Sequence, residues 1–237
     1  MTATEAMQAI FLKATGKVAS FVLTDTKGVK ILGLMNFYSQ RWASESGIDW
    51  ISLYNPNLNI GTVTATDTFN LDLSTIRKLS QQEGDNVRII WTGDTGTITN
   101  PVKFTDYELV PGDRLKDFST GPFCARIGST LVFNRVFLTT DPQFGGKIYV
   151  PCYTYPDTLS NSTDDIQVDD PNWLVLICAA EYARTDLTRQ GQHPFLLSEA
   201  NDCMTRMKDD NANDQNTDAT QEWNPMPWSA SGNDWWV

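Results

Sequence analysis

The sequence predicts an α+β protein: a helical bundle built from the N- and C-terminal helices, an inserted strand-rich region of β-hairpins or a β-layer, and an extended C-terminal tail. Three observations carry this. Apolar residues recur with helical spacing near both ends of the chain. Between them lies a stretch rich in β-branched and aromatic residues, broken by turn clusters. The last segment is polar and acidic, then suddenly rich in tryptophan. The expected divisions are 1–47 for a helix pair, 48–168 for the strand region, 169–208 for the helices that complete the bundle, and 209–237 for the tail.

The first helix opens with capping-box spacing, Thr2 followed three residues later by Glu5. Met7, Ile10, Phe11, Ala14 and Val18 continue at helical period, which predicts a helix near 3–20. Thr24-Asp25-Thr26 is a second start signal. Ile31, Leu34, Met35, Tyr38 and Trp42 then share one face, and the helix is expected near 26–46, stopping by Gly47.

From Ile48 to Tyr155 the pattern changes. IDWISLY, TVTATDTFNLDL, VRIIWT, TLVFNRVF and GKIYVPCYTY read as short strands. Turn clusters separate them: Asn55-Pro56-Asn57, Glu83-Gly84-Asp85-Asn86, Gly93-Asp94-Thr95-Gly96, Pro111-Gly112-Asp113 and Gly145-Gly146. Residues 60–70 alternate threonine with other types and suggest a partly exposed hairpin. Arg114 and Arg126 flank a loop that the pattern does not assign.

Helix returns late. Asp169 or Asp170 caps, Pro171 takes the first position, and WLVLICAAEYARTDLTRQ follows to a stop at Gly191. Trp173, Leu176, Ile177, Ala180 and Ala183 form its apolar face. A last helix is expected near 194–208, from Pro194 through Phe195, Leu197, Met204 and Met207.

The tail reads DDNANDQNTDATQEWNPMPWSASGNDWWV. Its first part, to Gln221, holds too little apolar surface to fold alone and is expected as an extended leash. Thirteen extended residues span roughly 40 Å at about 3.3 Å each. The end carries Trp223, Pro225, Met226, Pro227, Trp228, Trp235 and Trp236. Exposed tryptophans on a polar leash predict a tail that docks into a partner, the alternative being a tail that folds back on its own domain. Trp223, Pro225, Met226, Trp228, Trp235 and Trp236 are therefore the candidate partner-binding residues.

Composition bounds the function. Eighteen Lys and Arg against 29 Asp and Glu leave a net charge of −11, which argues against general nucleic-acid binding. No run approaches the length of a membrane span. The opening MTATEAMQAIFLKATGK has no basic stretch followed by an apolar run, so no secretory signal is expected. Cys124, Cys152, Cys178 and Cys203 show no CxxC spacing and read as free thiols in a reducing compartment, without a zinc site.

Catalytic signals are weak, and no catalytic residue, metal site or cofactor is expected. The single histidine, His193, lies in an interhelix turn and lacks an obvious orienting acid. Asp164, Asp165, Asp169 and Asp170 surround a helix start, where their interaction with the helix dipole accounts for them. Asp209, Asn211 and Asn213 imitate the start of a calcium loop, but Asp214 stands where glycine is needed and Thr220 where the bidentate glutamate is needed. Trp50, Tyr54, Trp91, Tyr153 and Tyr155 could form a sugar-binding platform, although strand cores use the same residues and core is the favoured reading.

Three stretches resemble the head-to-tail adaptor proteins of tailed bacteriophages, especially of podophage-type particles. KILGLMNFYSQRWASES is similar to the family's helix leading into the first strand. RIGSTLVFNRVFLTTDPQFGGKIYVPCYTYPDTLS is similar to its paired strands with a tyrosine- and proline-rich exit. DDPNWLVLICAAEYARTDL is similar to its helix with an acid-plus-proline start. The resemblance implies a non-enzymatic structural protein of the virion neck, made in the host cytoplasm. It implies a homo-oligomeric, dodecameric ring that docks on the portal protein and presents a surface to the tail nozzle or another tail protein. DNA would pass through the lumen without specific binding, and no membrane is involved. An acidic lumen suits this, because cations there would grip phosphates. Members often carry C-terminal tails that climb the portal, a role residues 209–237 fit. The competing readings are a carbohydrate-binding or other virion accessory module and, more remotely, a hydrolase with paired carboxylates. Small sugar-binding modules are mostly all-β, so the late helices favour the adaptor.

Overall fold

A computed structural model describes residues 1–20, 24–80, 87–90, 101–104, 123–186 and 189–222. The chain is α+β, with four helices and eight strands among these residues. It divides into two compact units. One comprises Met1–Ser39 and Leu159–Val237, the other Gln40–Thr158. The boundaries therefore fall at 39/40 and 158/159 rather than at the expected 47/48 and 168/169.

The helical unit is organised around α3 (Pro171–Arg184), on which α1 (Ala3–Thr15) and α4 (His193–Glu222) both pack. Asp170 caps α3 by accepting the Asn172 N–H at 2.9 Å, with proline at the first position. Every residue from Trp173 to Ala180 is buried. The helix is thus apolar all round rather than on the single face expected, and such a helix is stable only when enclosed. Its end comes at Arg184, six residues before the expected Gln190. There Thr185 Oγ1 donates to the Tyr182 carbonyl at 2.8 Å and the Asp186 N–H to the Ala183 carbonyl at 3.0 Å, which tightens the last turn.

α1 begins with the capping box as expected. Glu5 N–H donates to Thr2 Oγ1 at 3.4 Å, and Thr2 N–H to Glu5 Oε2 at 2.9 Å. The helix ends at Thr15, not near residue 20, because Gly16 turns left-handed (φ 69°) and returns its N–H to the Leu12 carbonyl at 2.7 Å. Val18, read as part of the helical stripe, lies beyond that cap and is exposed. The second helix, α2 (Thr26–Ala43), starts where Asp25 Oδ1 accepts the Gly28 N–H at 2.7 Å. Lys27 and Lys30 lie over the rings of Phe11 and Tyr182.

Both chain segments of this unit are stitched together by backbone. Ala3 N–H donates to the Asp164 carbonyl at 2.8 Å, and Ile166 N–H to the Met1 carbonyl at 3.1 Å. Asn36 closes a two-way bond with Leu159, donating Nδ2 to its carbonyl at 3.0 Å and accepting its N–H at 2.8 Å. Asp164 in turn accepts the N–H groups of Ser160 and Asn161, each at 2.7 Å, and this holds its carboxyl below the usual carboxylate range.

In the second unit the strands are β1 (Tyr54–Thr62), β2 (Thr68–Asn70), β3 (Ile76–Leu79), β4 (Val87–Ile90), β5 (Pro101–Phe104), β6 (Phe123–Ile127), β7 (Thr130–Phe133) and β8 (Lys147–Thr154). β8 is the hub. β1 lies antiparallel along one side of it, and β4 and β3 share the other side in succession. β2, β7 and β6 form a second antiparallel set, and β5 joins the two sets, antiparallel to β4 and parallel to β6. Val63, Phe69, Ile89, Cys124, Leu131, Phe133, Ile148 and Val150 belong to one apolar core.

Prolines place the irregularities. Pro151 has no N–H to give, and it falls between the β8 residues that pair with β4 and those that pair with β3. On the other side it faces the register shift between Asn55 and Leu58, which contains Pro56. The cluster Asn55-Pro56-Asn57, expected as a turn, is therefore a bulge within β1. The expected hairpin at 60–70 does not form, because β1 pairs with β8 and β2 with β7. IDWISLY does not continue as a strand either: Ile51–Leu53 is a 3-10 turn. There Trp50 is buried, stacks on Trp42 with ring centroids 4.9 Å apart, and donates Nε1 to the Trp42 carbonyl at 2.9 Å. Strands β3, β5 and β6 were not expected, and β1 lies mostly between two of the segments read as strands. The clusters at 83–86, 93–96 and 111–113, with Trp91 and Arg114, lie outside the described residues.

Two outcomes follow. Trp50→Ala removes a 0 %-exposed stacked indole and its hydrogen bond, and should cost about 3–5 kcal/mol in denaturant unfolding. Asp164 has a folded pKa below its unfolded one, so its contribution is present above the ordinary carboxylate value and fades as pH falls through the lowered one. Asp164→Asn should therefore lower stability at neutral pH and narrow its gap to wild type in strong acid, as read by thermal melts across pH.

Candidate functional site

His193 does have an acid beside it, contrary to the sequence expectation: Nε2 lies 3.9 Å from Glu181 Oε1, and the other oxygen of Glu181 pairs with Arg184 at 2.8 Å. The pair forms because α4 starts just after a 3-10 turn at Gln190–Gln192, which returns the chain toward the last turn of α3. All four cysteines are buried. Burial pushes the Cys152 thiol up to about 11 and raises those of Cys124 and Cys178 further, so none of these three offers a thiolate at neutral pH. Among the described residues no group of three or more His, Cys, Asp or Glu side chains is placed to hold a metal ion, and no helix is long and apolar enough to cross a membrane. Asp209, Asn211 and Asn213 are helical, and alternate positions diverge around a helix instead of lining a loop.

Of the five residues that suggested an aromatic platform, Trp91 lies outside the described residues and Tyr54 and Tyr155 are partly exposed. Trp50 and Tyr153 are core, and Tyr153 packs against Tyr54 at 5.5 Å between ring centroids. Lys78 covers the Tyr153 ring and pairs with Asp49. Arg77 supports the same corner, donating to the Ile48 carbonyl at 2.7 Å and to Asp49 at 3.4 Å.

The partner-binding candidates Trp223, Pro225, Met226, Trp228, Trp235 and Trp236 lie outside the described residues. What precedes them is not an extended leash. α4 runs on through residues 209–222. The tail begins as a helix because Ala200, Cys203, Met207 and Asn211 form one buried stripe that nucleates it, and propagation adds one bond for each residue fixed. The low propensity of the Asn- and Asp-rich run is overridden by that start. Ala212, Asn213 and Asp214, which follow that stripe, are exposed.

Several apolar residues face outward on the helices and strands, which the sequence reading missed. On α2, Val29 and Phe37 are 56 % and 59 % exposed, and Gly33 lies between them at four-residue spacing. A Cβ at Gly33 would meet nothing within 4 Å. Val29 and Phe37 interrupt an otherwise regular amphipathic pattern, and that interruption was the legible signal. On α4, Phe195 is 74 % exposed. In the strand unit Leu73, Ile127, Val136 and Leu138 are exposed as well. No protein-family model matches the chain, and no curated protein matches it.

His193→Ala should leave the fold intact, with far-UV dichroism and melting temperature within a few degrees of wild type, because it removes one partly buried partner of an acid that retains Arg184.

Proposed function

We propose that the protein is a structural component of a phage virion: an adaptor ring between the portal and the tail, with its C-terminal segment as the portal anchor. The observation that carries this reading is the course of α4. Its last buried described position is Asn211, yet it continues to Glu222, about 16 Å further at 1.5 Å per residue. The next residue is Trp223, the first of four tryptophans in the final fifteen residues. A polar helical arm that ends in an aromatic cluster suits docking onto a neighbour. Pro225 and Pro227 restrict the unbound conformations and so reduce the entropy lost on docking. Each tryptophan can bury about 150–250 Å².

The helical unit supplies the ring body in this reading, and the strand unit supplies the face toward a tail nozzle or other tail protein. Its exposed Leu73, Ile127, Val136 and Leu138 are apolar groups available for that contact. The net charge of −11 suits a lumen through which DNA slides without being gripped. The burial of the four cysteines and the position of His193 beside Glu181 are compatible with a structural role.

Removing residues 223–237 tests the anchor. The truncated chain should keep its helical dichroism and solubility but fail to co-sediment with portal particles, and truncating one well-buried tryptophan should cost on the order of 2 kcal/mol of binding. Retention equal to that of the full chain would refute the anchor.

A further inference from the structure

We propose that copies of this chain associate head to tail through one specific contact: Phe195 on α4 of one copy seats in the notch at Gly33 on α2 of the next, flanked by Val29 and Phe37. The inference rests on the adaptor reading only for the need of a ring; the contact itself is argued from the two surfaces.

The α2 side is a receptor for a ring-shaped side chain. Val29, Gly33 and Phe37 succeed one another at one turn each and share a face. Val29 and Phe37 stand about 12 Å apart along the axis at 1.5 Å per residue. Between them Gly33 has no side chain, and the space where one would begin is open to 4 Å. Two exposed apolar side chains one turn to either side of a bare glycine leave room for an apolar ring to lie against the backbone between them. α4 provides the ring: Phe195 lies in its first turn and is the most exposed phenylalanine among the described residues.

Charge selects a second copy as the occupant. Between Thr26 and Ala43 α2 carries Lys27, Lys30 and Arg41 and no acid. Following Phe195 on the same face of α4 come Glu199 and Asp202, at spacings of four and seven residues, and both are exposed. Further along are Asp209, Asp210 and Asp214, against Arg206 and Lys208. A chain of net charge −11 repels its own copies unless an acidic face meets a cationic one, and these two helices supply the two signs. Each copy uses its α2 face toward one neighbour and its α4 face toward the other. Such a contact is heterologous and, if the rotation closes, generates a ring.

Cysteine crosslinking of the full-length chain reads this contact directly. The native cysteines are buried, so new surface thiols report alone. Gly33→Cys is accommodated by the open space, and Phe195→Cys is at an exposed site. Under mild oxidation, at high protein concentration and again on isolated portal, a chain with both substitutions should give a ladder beyond dimer. A mixture of the two single variants should give a heterodimer as the main crosslinked species. Phe37→Glu added to the doubly substituted chain should reduce the ladder at least tenfold while leaving the dichroism unchanged. No ladder in either setting, or undiminished crosslinking with Phe37→Glu, overturns the contact. Portal retention without a ladder leaves the adaptor reading standing and removes this contact. A ladder without portal binding removes the adaptor reading and leaves the contact.

Discussion

A helix with no polar side has to be enclosed, and the helical unit follows from meeting that demand for α3. Eight consecutive buried residues, Trp173–Ala180, require neighbours on all sides, and the segments that supply them come from both ends of the chain. α1 arrives from one end, α4 from the other. The unit therefore depends on closing a long loop, which costs entropy before it returns any contact. Two devices hold the closure. Met1 and Ala3 bond by backbone to residues 164 and 166, and Asn36 locks both polar groups of Leu159. Asp164 then stiffens the 160–164 turn by accepting two backbone N–H groups. These are directional bonds at the seams, while the free energy comes from the apolar area of α3.

The strand unit solves a different problem. One central strand, β8, serves three others, and one of its residues is a proline that cannot donate to the ladder. The deficit is placed where the partner on one side changes from β4 to β3, and where the partner on the other side is already bulged at Pro56. The lost N–H therefore breaks no continuous pair. The Pro151 carbonyl still accepts, from Ser80 N–H at 2.9 Å. The stacked Trp42 and Trp50 and the Arg77–Asp49 pair hold the entry to β1 in the same unit.

Charge distribution matters more than net charge for what the molecule can assemble with. α4 carries seven acids against Arg206 and Lys208, whereas α2 carries cations alone. A helical arm also differs from a leash in its consequences. Thirteen residues reach about 20 Å as a helix against roughly 40 Å extended, so the proposed anchor would search a smaller volume at higher effective concentration. That geometry favours a partner close to the helical unit over a distant one.

Much of the helical unit was legible in the sequence, because its signals are local. The Thr2–Glu5 capping box, the Asp25 start, the Asp170-Pro171 start and the helical periods act within one or two turns, and each appears where the residues place it. The α+β class followed from the same local contrasts. The outlying errors were decided by tertiary structure. Gly16 ended α1 early, since an αL residue that returns its N–H to the preceding turn terminates a helix whatever follows it. The pairing of β1 with β8 and of β2 with β7 was invisible, because strand partners are chosen by register and burial across long sequence separations. β3 was missed because Arg77 and Lys78 mask a strand whose buried ends, Ile76 and Leu79, are fixed by β8. The helical state of residues 209–222 was missed because composition argues for coil; only the buried stripe through Ala200, Cys203, Met207 and Asn211, formed by packing, supplies the nucleus from which the helix propagates. The exposed Val29 and Phe37 beside Gly33 likewise needed the structure, since only packing reveals which apolar residues of a helix are left facing outward.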